Sequence, residues 1–127
     1  MNIPKKKITL AVLRESRTDE NRTPFSPAQV SSILNKFSNI KIIVQPSSRR
    51  CFKDEEYEKA GAQIKDDLSS ANIIFGVKEV DTSALIEGKT YLFFSHTSKV
   101  RQYIGQTIKD EAIIYKKELL KEVIKKK

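Results

Sequence analysis

The 127-residue sequence predicts an α/β domain, Rossmann-like and three layers deep, with a mostly parallel sheet. Three observations carry that prediction. Four short apolar runs rich in β-branched residues recur along the chain, and each is apolar throughout rather than alternating, the habit of strands covered on both faces. Helical patterns lie between them, and strands alternating with helices build parallel β-α-β units. Ionisable residues close the runs, at the strand ends where open parallel sheets bind ligands.

The first run, ITLAVL at 8–13, ends on Arg14 and Glu15. The polar stretch RESRTDENRTPFSP follows and sets Arg17 and Arg22 over the strand ends. A guanidinium there can hold a carboxylate through two parallel hydrogen bonds, although a solvated loop would read the same way. SPAQVSSILNKF at 26–37 then predicts a helix. Ser26 is its N-cap, Pro27 its first residue, and Val30, Ile33, Leu34 and Phe37 form one apolar stripe. The second run, IKIIVQ at 40–45, is followed by KDEEYEKAGA at 53–62, a shorter helix stopped by Gly61. KDDLSSA at 65–71 predicts a third short turn with acidic residues at its start.

The third run, NIIFGV at 72–77, leads directly into Lys78 and Glu79. A lysine so placed can carry protons. The fourth, TYLFFS at 90–95, reads as a buried strand and runs into His96, the sole histidine, with Lys99 close behind. Imidazole exchanges protons near neutrality, which suits it to acid–base work, although a lone histidine is more often structural. Arg14, Lys78 and His96 thus converge on one edge of the expected sheet. After Lys99 the pattern weakens; KKELLKEVIKKK at 116–127 alone suggests an amphipathic helix.

Composition narrows the function. The net charge is +8, but Lys5–Lys7 supply +3 and residues 116–127 a further +4, leaving the body at +1. Charge gathered at the two ends lacks the basic stripe of a nucleic-acid surface, and no nucleic-acid partner is expected. No run approaches the length of a membrane span, and the N-terminal stretch has no signal-peptide pattern. The expected location is the cytoplasm, with an organellar matrix as the other possibility. Cys51 is the single cysteine, so an internal disulfide and a multi-cysteine zinc site are both out of reach, and it is expected as an unreactive, at least half-buried thiol. No metal site is expected. Gly61, Gly76, Gly88 and Gly105 are too scattered for a phosphate-binding loop, and no nucleophile motif appears. A lone domain with acid–base groups and no cofactor loop has the character of half an enzyme.

ENRTPFSP, VQPSSRRCFKDEEYEKAGA, LSSANIIFGVKEV and KTYLFFSHTSK, in that order and spacing over about residues 8–99, resemble a known family. It is the N-terminal domain shared by alanine dehydrogenase, the proton-translocating transhydrogenase and the saccharopine dehydrogenases. Within it the segments are most similar to the lysine-ketoglutarate reductase part of aminoadipic semialdehyde synthase. The resemblance implies a single substrate-side catalytic domain over 1–127, with a core at about 8–99 and a less certain tail at 100–127. It also implies a separate dinucleotide-binding domain, in cis or in trans, that this chain lacks. NAD(P) would act in the complete enzyme and would not bind this chain alone.

Carried over by position, Lys78 and His96 match the family's acid–base pair. Arg22 matches an arginine that holds a substrate carboxylate, and Glu79 and Lys99 match charged neighbours of that site. Arg49 and Arg50 are further candidate carboxylate clamps. The implied reaction is NAD(P)-dependent condensation of lysine with 2-oxoglutarate through an imine, or its reverse, with the isolated chain inactive. The alternatives are an alanine dehydrogenase or transhydrogenase fragment, and a stand-alone dicarboxylate-binding regulatory module.

Overall fold

The computed structural model describes residues 5–94. Among these residues five strands form one sheet: β1 (Ile8–Val12), β2 (Ile40–Val44), β3 (Gln63–Ile64), β4 (Ile73–Phe75) and β5 (Thr90–Leu92). Their spatial order is β3-β2-β1-β4-β5 and every pairing is parallel. Four of the strands are the four apolar runs. β3 is an addition that sequence patterning misses: two residues give no period to read, and they pair only with the end of β2.

Helix α1 (Pro27–Lys36) starts as its sequence dictates. The Ser26 hydroxyl accepts the Gln29 N–H at 3.2 Å, and the Gln29 side chain accepts the Ser26 N–H at 2.8 Å. This reciprocal box satisfies two of the amides that a helix start leaves unpaired. Only Val30 of the stripe is fully buried; Phe37 lies just past the helix and is exposed, because the chain becomes extended there to enter β2. Helix α2 (Asp54–Lys59) is shorter and buries Tyr57.

α2 ends at Gly61, whose φ of +105° is costly for any residue bearing a Cβ. A Cβ there would also stand 3.0 Å from Leu34 Cδ1 on α1. Gly61→Ala is therefore expected to destabilise the domain by about 1–3 kcal/mol, read as a lower urea midpoint with an unchanged m-value. An unchanged midpoint would show that the turn relaxes freely.

The sheet parts two apolar layers. On one face Val12, Ile42 and Val44 pack with Val30 of α1 and Tyr57 of α2. On the other Ala11, Leu13, Ile43 and Ile74 pack against Leu68, Ala71, Val80 and Leu85. Both described α-helices thus cover the first face, and the second is covered by the β3–β4 and β4–β5 connections with one 3-10 turn at Thr82–Ala84. The third helical turn expected at 65–71 is an Asp67-stabilised turn instead, its carboxylate accepting the Ser69 N–H at 2.9 Å. Its service to the core is through Leu68 and Ala71, two residues that need no helix to reach the sheet.

β5 corrects the expectation of a buried strand. It lies at the edge of the sheet formed by the described residues; Tyr91 and Phe93 pack inward while Leu92 (53% exposed) and Phe94 (70% exposed) point out. Cys51 is likewise exposed; Arg50 and Phe52 on either side of it are the residues that anchor its loop. His96, Lys99 and the whole tail at 100–127 lie outside the described residues.

Candidate functional site

The order β3-β2-β1-β4-β5 reverses direction between β1 and β4. Connections from β1 run one way over the helix face, and those from β3 onward return over the other. Strand ends diverge at such a switch point and open a crevice at the carboxyl edge, the usual ligand position in this architecture. Residues 14–22 leave β1 there, and residues 76–80 leave β4 there.

Glu15 spans the crevice. Its carboxylate accepts the Lys78 N–H at 2.7 Å and the Val77 N–H at 3.1 Å, so the end of β1 is tied to the end of β4. Gly76 lets the carboxylate in: a Cβ at that position would stand 3.3 Å from Glu15 Oε2. Burial pushes the Glu15 carboxyl above its usual range, against the lowering effect of those two N–H groups; the Glu20 charge raises it further and Arg22 lowers it. With the folded pKa above the unfolded one, its stabilising contribution is complete below the unfolded value and lost as pH rises through the folded value.

Around this tether the loop is an arginine–carboxylate network. Arg22 holds Glu20 through Nε at 2.8 Å and Nη2 at 2.7 Å, and that hydrogen bonding keeps the buried Glu20 carboxyl below its usual range, helped by the nearby Lys78 charge. Arg17 binds Asp19 at 2.8 Å and reaches Glu79 at 3.8 Å, while Ser16 Oγ donates to the Glu79 carbonyl at 3.3 Å. Lys78, Glu79 and Arg22 are thus brought to one place by the β1–β4 switch. The Arg22 side chain is exposed, with a face open to solvent.

The other sequence candidates divide. Arg49 is exposed, donates to the Glu15 carbonyl at 3.3 Å, and shares with Arg14 the rim of a neighbouring cleft of about 400 Å³. Leu13, Leu68, Val80 and Ile86 line the base of that cleft, and Asp66 faces Arg14 at 2.9 Å. Gln45 closes the corner, accepting the Arg14 N–H and donating to the Asp66 carbonyl, both at 2.8 Å. Arg50 instead turns inward, its side chain 4% exposed. It is paired with Asp54 at 2.7 Å and the Gln45 carbonyl at 2.9 Å, and its guanidinium lies 4.9 Å from the Tyr57 ring centre. The structure uses that guanidinium to fix the loop after β2, away from the crevice.

Sequence reading passed over Glu15, Glu20, Gln45 and Asp66. Glu15 alone left a readable signal: a carboxylate directly after an apolar strand, at the same strand end as Arg14. Glu20 pairs with Arg22 only two residues on, within a charged loop that shows no period, while the partners of Gln45 and Asp66 are 21–52 residues distant, beyond any local pattern.

The residues after β1 do not fit a dinucleotide. A pyrophosphate needs a glycine turn and a helix N-terminus presenting N–H groups. Here the turn has no glycine, α1 begins only at Pro27, and Glu15 presents a carboxylate to the amides at the strand ends. Among the described residues there is also no cluster of metal-ligating side chains and no helix long and apolar enough to cross a membrane.

A parallel sheet wound in the order 3-2-1-4-5, with charged side chains gathered at its switch point, defines a Rossmann-like α/β domain. The chain belongs to the family described as alanine dehydrogenase/PNT, N-terminal domain, whose profile matches residues 11–127. It is 41% identical over 97 residues to the mitochondrial alpha-aminoadipic semialdehyde synthase of Bos taurus, covering 76% of this chain and 10% of that protein. It is 36% identical over 87 residues to the Arabidopsis thaliana enzyme of that name, covering 65% and 8%. The chain thus spans about a tenth of the curated relatives it matches. Among solved structures, a transhydrogenase from Sinorhizobium meliloti superposes with a TM-score of 0.61 at 21% identity, over 83% of this chain and 30% of the other. An L-alanine dehydrogenase does so with 0.63 at 18% identity, over 85% and 30%. The two superpositions establish the shared fold.

Proposed function

We propose that this chain is the substrate-side domain of an NAD(P)-dependent oxidoreductase that joins the lysine side-chain amine to 2-oxoglutarate, or splits the product. The observation that carries the reading is the likeness to aminoadipic semialdehyde synthases, 36–41% identical over most of the chain. The geometry agrees with it. Adding an amine to a ketone, expelling water and exposing an imine to reduction require protons to be given and taken near neutral pH. Lys78 stands at the switch point for that work, and His96 follows β5 in sequence as its partner.

The product carries several carboxylates, and cations hold these best when their forked N–H groups stay open to the crevice. Arg22, exposed beyond its Glu20 pair, is the clamp, with Arg49 at the rim and Lys99 beyond the described residues. Glu79 orders this edge through Arg17. Arg50 acts on the loop and not on substrate. Hydride comes from a dinucleotide held by another domain, in the cytoplasm or a mitochondrial matrix.

Titrating the ¹⁵N-labelled chain with 2-oxoglutarate tests the reading. Saturable shifts at Arg22, Lys78 and Glu79 are expected, without NADPH oxidation when lysine is added. Shifts with pyruvate and none with 2-oxoglutarate would replace it with an alanine dehydrogenase fragment. Binding without turnover, even when a dinucleotide-binding domain is supplied, would favour a regulatory module.

A further inference from the structure

The carboxylate of Glu15 binds two backbone amides. Those amides belong to the peptide units on either side of Val77, immediately before the Lys78 side chain. The same segment carries a second link. The Val77 carbonyl accepts the Phe94 N–H at 3.2 Å, so the chain leaving β5 toward His96 is fastened to the segment that Glu15 holds. Beyond β4 this segment has left the β1–β4 ladder: the last bond from β1 is Leu13 N–H to the Phe75 carbonyl. Glu15 replaces the missing strand partner, and Gly76 leaves room for it to do so.

We propose that Glu15 is a positioning residue that sets the placement of Lys78 and, through the Val77 carbonyl, of Phe94 just beyond β5. Its assignment to catalysis rests on the proposed function; its action on the backbone does not. A carboxylate suits such a task, because it has two acceptor oxygens and no donor, and each oxygen here takes one of the two N–H groups. Glutamine offers one oxygen and turns an N–H₂ toward the second donor. Aspartate keeps the charge but stops one methylene short. The charged groups acting on the Glu15 carboxylate are Glu20 and Arg22 from its own loop, while Arg49, from the loop after β2, donates to the Glu15 backbone carbonyl.

Two measurements separate this proposal from the function beneath it. In the 127-residue chain, amide exchange of Val77, Lys78 and Phe94 is expected to accelerate at least tenfold in Glu15→Gln and in Glu15→Asp. Ala11, Ile43 and Val44 at the sheet centre should keep their protection, which shows the fold intact. Unchanged exchange at Val77 and Lys78 overturns the tether outright. Should Glu15→Gln fail to fold, Gly76→Ala, which displaces the carboxylate and keeps the charge, replaces it in the same assay. In the enzyme completed with its dinucleotide domain, Glu15→Gln is expected to lower kcat about tenfold with the KM for 2-oxoglutarate within threefold of wild type. Faster exchange with unchanged kcat would overturn the catalytic assignment. Absence of lysine-dependent turnover in wild type would instead sink the proposed function, leaving the exchange data to decide the tether.

Discussion

Lys78→Met, in the enzyme completed with its dinucleotide-binding domain, is expected to lower kcat by about 10²–10³-fold, the usual contribution of a positioned general acid or base. Methionine keeps the length and apolar stem of lysine, so the half-buried side chain still fills its place, and the backbone N–H that Glu15 accepts is untouched. What disappears is the exchangeable proton at the end of the chain. Lys78→Arg separates charge from proton transfer. Arginine retains the cation near Glu20 and Asp19 but stays protonated in proteins, so it should remain as impaired as methionine. Recovery of activity in the arginine variant would assign Lys78 an electrostatic duty toward the substrate carboxylates. Wild-type activity in Lys78→Met would remove it from the chemistry. His96→Ala, measured beside it, should lose activity comparably, because two proton carriers serving one sequence of steps are not independent.

The strand ends were legible in the sequence and the side chains that organise them were not. Continuous apolar runs mark β1, β2 and β4, because strands in a parallel sheet meet apolar neighbours on both faces, and β5 carries the same kind of run although Leu92 and Phe94 on its outer side are exposed. The Ser26–Pro27 start and the Gly61 stop are equally local, since a cap or a left-handed turn is decided within four residues. Placing Lys78 at the carboxyl edge needs only the end of its run. Whether a given arginine faces the crevice is another matter. Arg49 and Arg50 are adjacent in sequence, yet one lies exposed on a cleft rim and the other is sealed against Tyr57 and Asp54. That choice depends on how the first turns of α2 meet the loop, where Asp54 and Tyr57 draw in Arg50 and leave Arg49 outside, and adjacent arginines give no sign of which will turn in. The asymmetry of the layers is also hidden: the second face needs Leu68, Ala71, Val80 and Leu85 at the right depth, and irregular chain delivers them as well as a helix would.

Tyr57 joins the stability of the fold to the shape of the site. Its ring is fully buried beneath the sheet and makes an edge contact with Phe52, with centroids 6.3 Å apart. Its hydroxyl donates to the Phe25 carbonyl at 2.6 Å and lies 3.3 Å from Thr23 Oγ1. Phe25 and Thr23 belong to the loop that carries Arg22, and Arg50 stacks on the ring from the loop that carries Arg49. Tyr57→Phe removes only the hydroxyl, leaves the Phe25 carbonyl with the longer 3.4 Å bond from Thr23 Oγ1 alone, and is expected to cost about 1–3 kcal/mol. Tyr57→Ala empties the space as well, and is expected to cost about 3–5 kcal/mol. Against the roughly 5–15 kcal/mol by which domains are stable, the second change consumes a large part of the whole, and urea unfolding will read it directly. The two variants also differ in what they do to the site. Tyr57→Phe should leave the fold intact while loosening residues 22–25, so its amide exchange should rise there and not in β1 or β2. Uniform acceleration across the sheet in the phenylalanine variant would mean that the hydroxyl holds up the core rather than the loop that carries Arg22.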